Sequence, residues 1–205
     1  MNAPAKKPPV VWDPLLRTFH WSLAFFFFLA YLFESDKLGM HSHAGYTVTL
    51  LVLFRLVWGF IGPRHALFTD FVTPPGQVYT YLRQLFYRTA KRHVGHNPVG
   101  AAMILTLLVS LLITAFTGMC LFAMEGSGPL VNTLVASWPG HVVEDIHEFS
   151  SNFTLVLIIV HVVGVLLTGL VHKENLIKAM ITGEKQPDLD FPANRPDEPY
   201  HGQNT

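Results

Sequence analysis

Two histidines, His147 and His161, stand in the last long apolar stretch, IHEFSSNFTLVLIIVHVVGVLLTGLV at 146–171. The stretch exceeds the roughly 20 residues a helix needs to cross a bilayer. At about 100° per residue, a separation of fourteen residues closes to within about 40° of whole turns, and it covers about 21 Å of axis. Both imidazoles therefore face one side, at two depths. An ionisable group inside a membrane span is costly unless a partner compensates it, so it reads first as functional. Iron held in two haems suits two stacked, neutral imidazoles on one face, each haem taking its second ligand from another helix.

Candidates for those second ligands are His20, His41 and His43. His20 lies in RTFHW near the start of the first apolar run. His41 and His43 open the second run, HSHAGYTVTLLVLFRLVWGFIG. Two residues apart is about 200° on a helix, so both cannot face one haem, and the residues alone leave the choice open. Arg17 and Arg55 are the cations nearest these sites. Haem propionates are carboxylates, and Arg binds carboxylates bidentately. Snorkelling to the interface is the bland alternative for Arg17.

Composition agrees with a membrane setting. Half of the 205 residues are hydrophobic, 16 are Phe, and the formal net charge is zero. Bulk charge gives no reason to expect a nucleic-acid partner. The single cysteine, Cys120, excludes an internal disulfide and any Cys-based zinc or iron–sulfur centre. No cleavable signal is evident, because FESDKLGM rather than a small-residue site follows the first apolar run.

The elements that would position these residues are four membrane spans, predicted at about 15–33, 41–62, 98–124 and 146–171. Asp13-Pro14 and Asn97-Pro98 read as helix starts, an N-cap followed by Pro at the first helical position. Residues 1–13 read as a cytoplasmic tail, 14–183 as the transmembrane domain, and 184–205 as a disordered tail. Between the second and third spans, Gln77–Thr89 carries Val78, Tyr81, Leu82, Leu85 and Phe86 at helical spacing. That predicts an amphipathic helix on the membrane surface, an ordinary soluble connector being the alternative. Residues 125–145 read as a loop, and the last helix is expected to continue through HKENLIKAM.

Loop charges orient the spans. Lys6, Lys7, Arg17, Arg64, Arg83, Arg88, Lys91, Arg92, Lys173 and Lys178 fall on one side, and Lys37 alone on the other. The positive-inside rule places both termini and the long middle loop in the cytoplasm. Depth then pairs His41 with His147 at the outer level and His20 with His161 at the inner. The bland alternatives are a neutral interhelical hydrogen bond for His161, interfacial solvation for His147, and anchoring beside Trp21 for His20. His65, His93, His96, His141, His172 and His201 fall in loops or tails, where solvation explains them.

RTFHW at 17–21, His41-x-x-x-Gly45 followed by Arg55, and HEFSSNFTLVLIIVH at 147–161 together resemble the prokaryotic cytochrome b561 family, which includes the b-type subunits of membrane nickel–iron hydrogenases. GHNPVG at 95–100 and HKENLIKAMITG at 172–183 resemble segments of its short members, and the likeness covers about 11–182. The resemblance implies an all-α four-helix membrane bundle holding two haem b groups, in a bacterial inner membrane. It implies His41 rather than His43 as ligand, alongside His20, His147 and His161. It also implies electron transfer between the quinone pool and a redox partner: a hydrogenase, a dehydrogenase or a periplasmic c-type cytochrome. Quinol would bind at one face, with His43, Asp36 or His141 as proton exits. A stand-alone quinone-linked superoxide oxidase is the alternative within the redox class. A histidine-lined ion or metal transporter would need carboxylates within the spans, which hold none beyond the terminal Asp13, Asp145 and Glu148. A cofactor-free membrane anchor gives no reason for His161.

Overall fold

The computed structural model describes residues 11–35, 39–63, 66–87, 89–90 and 97–184. The tails expected at 1–13 and 184–205 lie outside it except for Val11–Asp13 and Glu184, as do Asp36, Lys37, Arg64, Arg88, Lys91 and Arg92. His65, His93, His96 and His201 also fall outside the described residues.

Among the described residues the chain is helical, with no strand: α1 (Pro14–Leu32), α2 (Met40–Ile61), α3 (Phe68–Phe71), α4 (Pro75–Phe86), α5 (Pro98–Met124), α6 (Gly140–His172) and α7 (Leu176–Thr182). Of these, α1, α2, α5 and α6 are long and apolar enough to cross a membrane. Large apolar side chains such as Phe25, Leu50, Phe60, Val109, Ile159 and Leu170 are exposed on their outer faces. Helices apolar all round suit lipid as solvent.

The expected starts are capped by side chains. Asp13 Oδ1 accepts from the Leu16 amide at 2.9 Å, and Asn97 Oδ1 from the Gly100 amide at 2.7 Å. Each such cap contributes about 1 kcal/mol. The last span needs two corrections. It begins at Gly140, not 146, because Pro139 starts the helix and Val143 is buried. The segment is polar, and polar residues are compatible with loop and helix alike. Nor does the helix run through HKENLIKAM. Lys173 turns left-handed, with φ 52°, and the Glu174 amide donates to Gly169 O at 2.9 Å. A Cβ on Gly169 would stand 2.8 Å from Glu174 O, so the chain folds back where glycine leaves room. Asn175 then caps α7.

That fold-back docks α7 against the start of α1. The Val11 and Trp12 amides donate to Gly183 O at 2.8 and 3.2 Å, and Trp21 Nε1 donates to Met180 O at 3.3 Å. Arg17 Nη1 donates to Ile181 O. Val11, Trp12, Leu16, Phe19, Ala66 and Ala179 bury together at this end, while Phe27, Val48, Val52, Leu108 and Leu111 form the mid-bundle core.

In the bundle, α1 packs on α2, α2 on α5, and α5 on α6. A small polar ladder closes the last seam. The Ser110 and Thr154 hydroxyls are 2.6 Å apart, and Thr114 Oγ1 donates to Ser150 Oγ at 2.9 Å. Such bonds hold helices together where lipid competes equally for apolar contact. Among the described residues α1 and α6 make little backbone contact.

Outside the spans, α4 begins at Pro75 and ends at Phe86, earlier at both ends than the expected Gln77–Thr89. It buries Tyr81 and exposes Tyr79, Leu82 and Phe86. The preceding turn, α3, was not expected. A Cβ on Gly59 would fall inside the Phe68 ring, so α3 lies directly against α2.

Candidate functional site

Each end of the bundle brings two histidines together. At one end the His20 and His161 ring centres are 6.4 Å apart; at the other those of His41 and His147 are 6.1 Å apart. Two imidazoles bound on opposite sides of one metal, with metal–nitrogen bonds of ~2 Å, hold their ring centres about 6 Å apart. The histidines meet as pairs: no cluster of three or more His, Cys, Asp or Glu able to hold a bare ion occurs among the described residues.

At the His41 end the other ring nitrogens are tied down. His41 Nδ1 lies 2.9 Å from Ala30 O. Ala30 belongs to the last turn of α1, whose carbonyls lack intrahelical donors. His147 Nδ1 lies 3.0 Å from Thr114 O and 3.1 Å from Thr117 Oγ1. Carbonyls only accept, so Nδ1 carries the proton in both rings and Nε2 keeps its lone pair for a metal. Metal-binding histidines characteristically carry this second hydrogen bond. His147 reaches its acceptors because Gly118 leaves space: a Cβ there would stand 3.0 Å from Cε1 and 3.4 Å from Nδ1.

A cavity of about 680 Å³ opens beside this pair. It falls within the usual range for cofactor pockets, ~300–1,000 Å³. Gly45, one turn along α2 from His41, lines it, with nothing within 4 Å of where its Cβ would be. Glu34, Glu125, Glu144 and Glu148 also line it, and among the described residues no Lys or Arg does.

His43 turns back on its own helix, with Nδ1 2.8 Å from Gly39 O, and is exposed. It is not part of the pair. His141 and His172, read as loop residues, stand instead in the first and last turns of α6.

The His20 end holds Arg17 and Arg55, with the Asp13 carboxylate acting on Arg55. Arg17 precedes His20 by one turn of α1. Arg55 lies fourteen residues beyond His41 on α2, which is about 21 Å along the axis, level with the other pair. Its side chain is 3% exposed, with the guanidinium 4.8 Å from the Phe68 ring centre and 5.8 Å from that of Phe71. Arg17 Nε, Arg55 Nη1 and His20 Nδ1 are buried without a hydrogen-bond partner. Buried charged donors without acceptors fit a missing anionic group, and a missing acidic ligand is what a haem would supply. The residues present therefore fit the group at both ends.

Sequence reasoning missed Thr114, Thr117 and Gly118, since α5 carries no ionisable residue but Cys120 and so offered no signal. Phe68 and Phe71 were missed because α3 was not foreseen.

An all-helical membrane bundle with histidine pairs at two levels defines the class: a membrane cytochrome scaffold. The family model for prokaryotic cytochrome b561 matches residues 11–183, and the chain belongs to that family. It is 27% identical over 168 residues to a probable Ni/Fe-hydrogenase B-type cytochrome subunit of Rhizobium leguminosarum bv. viciae, covering 71% of this chain and 67% of that protein. The similarly described subunit of Azotobacter vinelandii is 27% identical over 180 residues, covering 77% of this chain and 70% of its own. This chain thus spans about two thirds of the length of these relatives. No solved structure shows significant similarity to it. Family and fold together make this a multi-pass bacterial membrane protein, a b-type cytochrome in electron transfer.

Proposed function

We propose that this protein carries electrons through two b-type haems, one between His20 and His161 and one between His41 and His147, linking the quinone pool to a redox partner. The observation that carries this reading is the pair of imidazole separations, 6.4 and 6.1 Å, at opposite ends of the bundle. Haem, when bound, would be held by His20 and His161 at one level and by His41 and His147 at the other, and would supply one-electron exchange. Ala30 and Thr114 fix the ring orientation of His41 and His147 through their carbonyls. Arg17 and Arg55 neutralise and bind propionates at the His20 end. The mid-bundle core excludes water and lowers the dielectric between the levels.

Both termini lie in the cytoplasm on this reading, so the His41 end faces outward. The relatives' description makes a hydrogenase the leading partner class, with a dehydrogenase or a c-type cytochrome as the other members.

The test is an absorption spectrum of protein purified after expression with ample haem. A reduced b-type spectrum, with about two haems per chain by pyridine haemochrome, is expected of bis-histidine ligation at two levels. Colourless protein would end this reading. Quinol-dependent haem reduction in membranes tests the substrate separately.

A further inference from the structure

Helix α4 lies in the connection between α2 and α5 and belongs to neither histidine pair. At about 100° per residue its side chains fall into three arcs. Val78, Tyr81 and Leu85 form one arc; they are buried or half-buried, and α4 packs on α5. Tyr79, Leu82 and Phe86 form the adjoining arc and are exposed, Phe86 at 84% and Tyr79 at 69%. Gln77, Thr80 and Gln84 form a polar third arc. Arg83 and the C-cap Tyr87 stand on the border between the exposed apolar arc and the polar one. The Arg83 guanidinium carbon is 5.9 Å from the Tyr87 ring centre.

The exposed apolar and polar arcs are each centred about 100° from the packed one, on opposite sides of it. A helix lying across the end of the bundle would therefore turn one toward the bilayer and the other toward water. A connector surrounded by water would instead carry polar residues on both. Charge points the same way. The connection at 63–97 holds Arg64, Arg83, Arg88, Lys91 and Arg92 against one carboxylate, Asp70. A basic segment beside a bilayer is drawn to anionic headgroups.

We propose that α4 is a binding element for anionic lipid: it lies in the headgroup layer, with Leu82 and Phe86 reaching the acyl boundary and Arg83 on a lipid phosphate. Nothing in this depends on bound haem. An interfacial helix buries its apolar face at that boundary and keeps its polar face wet. Tyr79 and Tyr87 suit the headgroup level, where an apolar ring and a polar hydroxyl are both satisfied. Arg binds phosphate through paired N–H donors while its aliphatic stem lies along apolar surface. The Tyr87 face steadies the guanidinium by a cation–π contact. A leaflet offers apolar depth for Phe86 and an anion for Arg83 along one plane, which is why lipid rather than a partner protein is the occupant we assign.

The test is spin labelling of the full chain, reconstituted into phosphatidylcholine vesicles with or without phosphatidylglycerol. Single cysteines are introduced by Thr80→Cys, Leu82→Cys or Phe86→Cys in a Cys120→Ala background. Power saturation then compares each nitroxide's exposure to oxygen, which partitions into lipid, with its exposure to a water-soluble nickel chelate. Labels at positions 82 and 86 are expected to meet oxygen more than chelate, and the label at 80 the reverse. Phosphatidylglycerol should shift the label at 82 deeper, and Arg83→Gln should abolish that shift. Chelate-exposed labels at both 82 and 86 would overturn the proposal in favour of a solvated connector. Labels shielded from both probes would overturn it in favour of a protein cover, a partner or a second copy. A shift with phosphatidylglycerol that survives Arg83→Gln would overturn the role of Arg83.

Discussion

Arg55 holds a charged N–H without an acceptor beneath two phenyl rings. A buried donor left so costs about 1–3 kcal/mol, more when charged. On the di-haem reading, an anionic propionate supplies that acceptor. Arg55→Met should accordingly lower haem content toward one per chain and leave the His41 pair loaded. Unchanged haem content would show that the guanidinium serves only packing against α3. His161→Ala carries a sharper expectation: one haem lost, the other retained, with pyridine haemochrome as the measure. Loss of both, or of neither, would reject the pairing with His20. The geometry of His43 explains why the residues alone left it open against His41, a choice that only the family resemblance made. Both imidazoles open the same helix, and only the carbonyl each one finds, Gly39 or Ala30, separates them.

Helix ends decide how the spans present these residues. Lys173 occupies the left-handed region without being glycine, with φ 52°, a conformation that costs an L-residue about 1–2 kcal/mol. Lys173→Gly should raise thermal stability in detergent by about 1 kcal/mol, with α7 still docked. A lower melting temperature would mean that the lysine side chain supports the turn. Asp13→Ala removes the cap of α1 and should cost about 1 kcal/mol by the same measurement. These elements were unevenly legible. Asp13-Pro14 and Asn97-Pro98 announce their helices, because cap and proline act through neighbouring backbone. The early start of α6 was not announced, because polar residues are compatible with loop and helix alike. The break at Lys173 depends on α7 finding a seat against α1, a long-range contact.

At the scale of the whole molecule, the four spans leave α1 and α6 with little backbone contact, and His20 and His161 meet across that seam. Loop charge predicts the orientation in the membrane. Reporters fused to either terminus should read cytoplasmic, and a single cysteine placed in residues 126–138, in a Cys120→Ala background, should react with an impermeant thiol reagent from outside. Labelling only after the membrane is breached would invert the topology and exchange the outer and inner levels.

Four apolar runs, their capped starts, and histidines placed at matching depths follow from local chemistry, so the chain's sequence by itself determined the span number, the two levels and the pairing to look for. Helical periodicity and hydropathy act over a few residues, and a reader of the sequence can apply both. Which nitrogen His41 and His147 free, the close approach that Gly118 allows, and the Phe68 and Phe71 rings over Arg55 were decided only by the tertiary structure. Those contacts join positions distant in the chain, and no local preference encodes them.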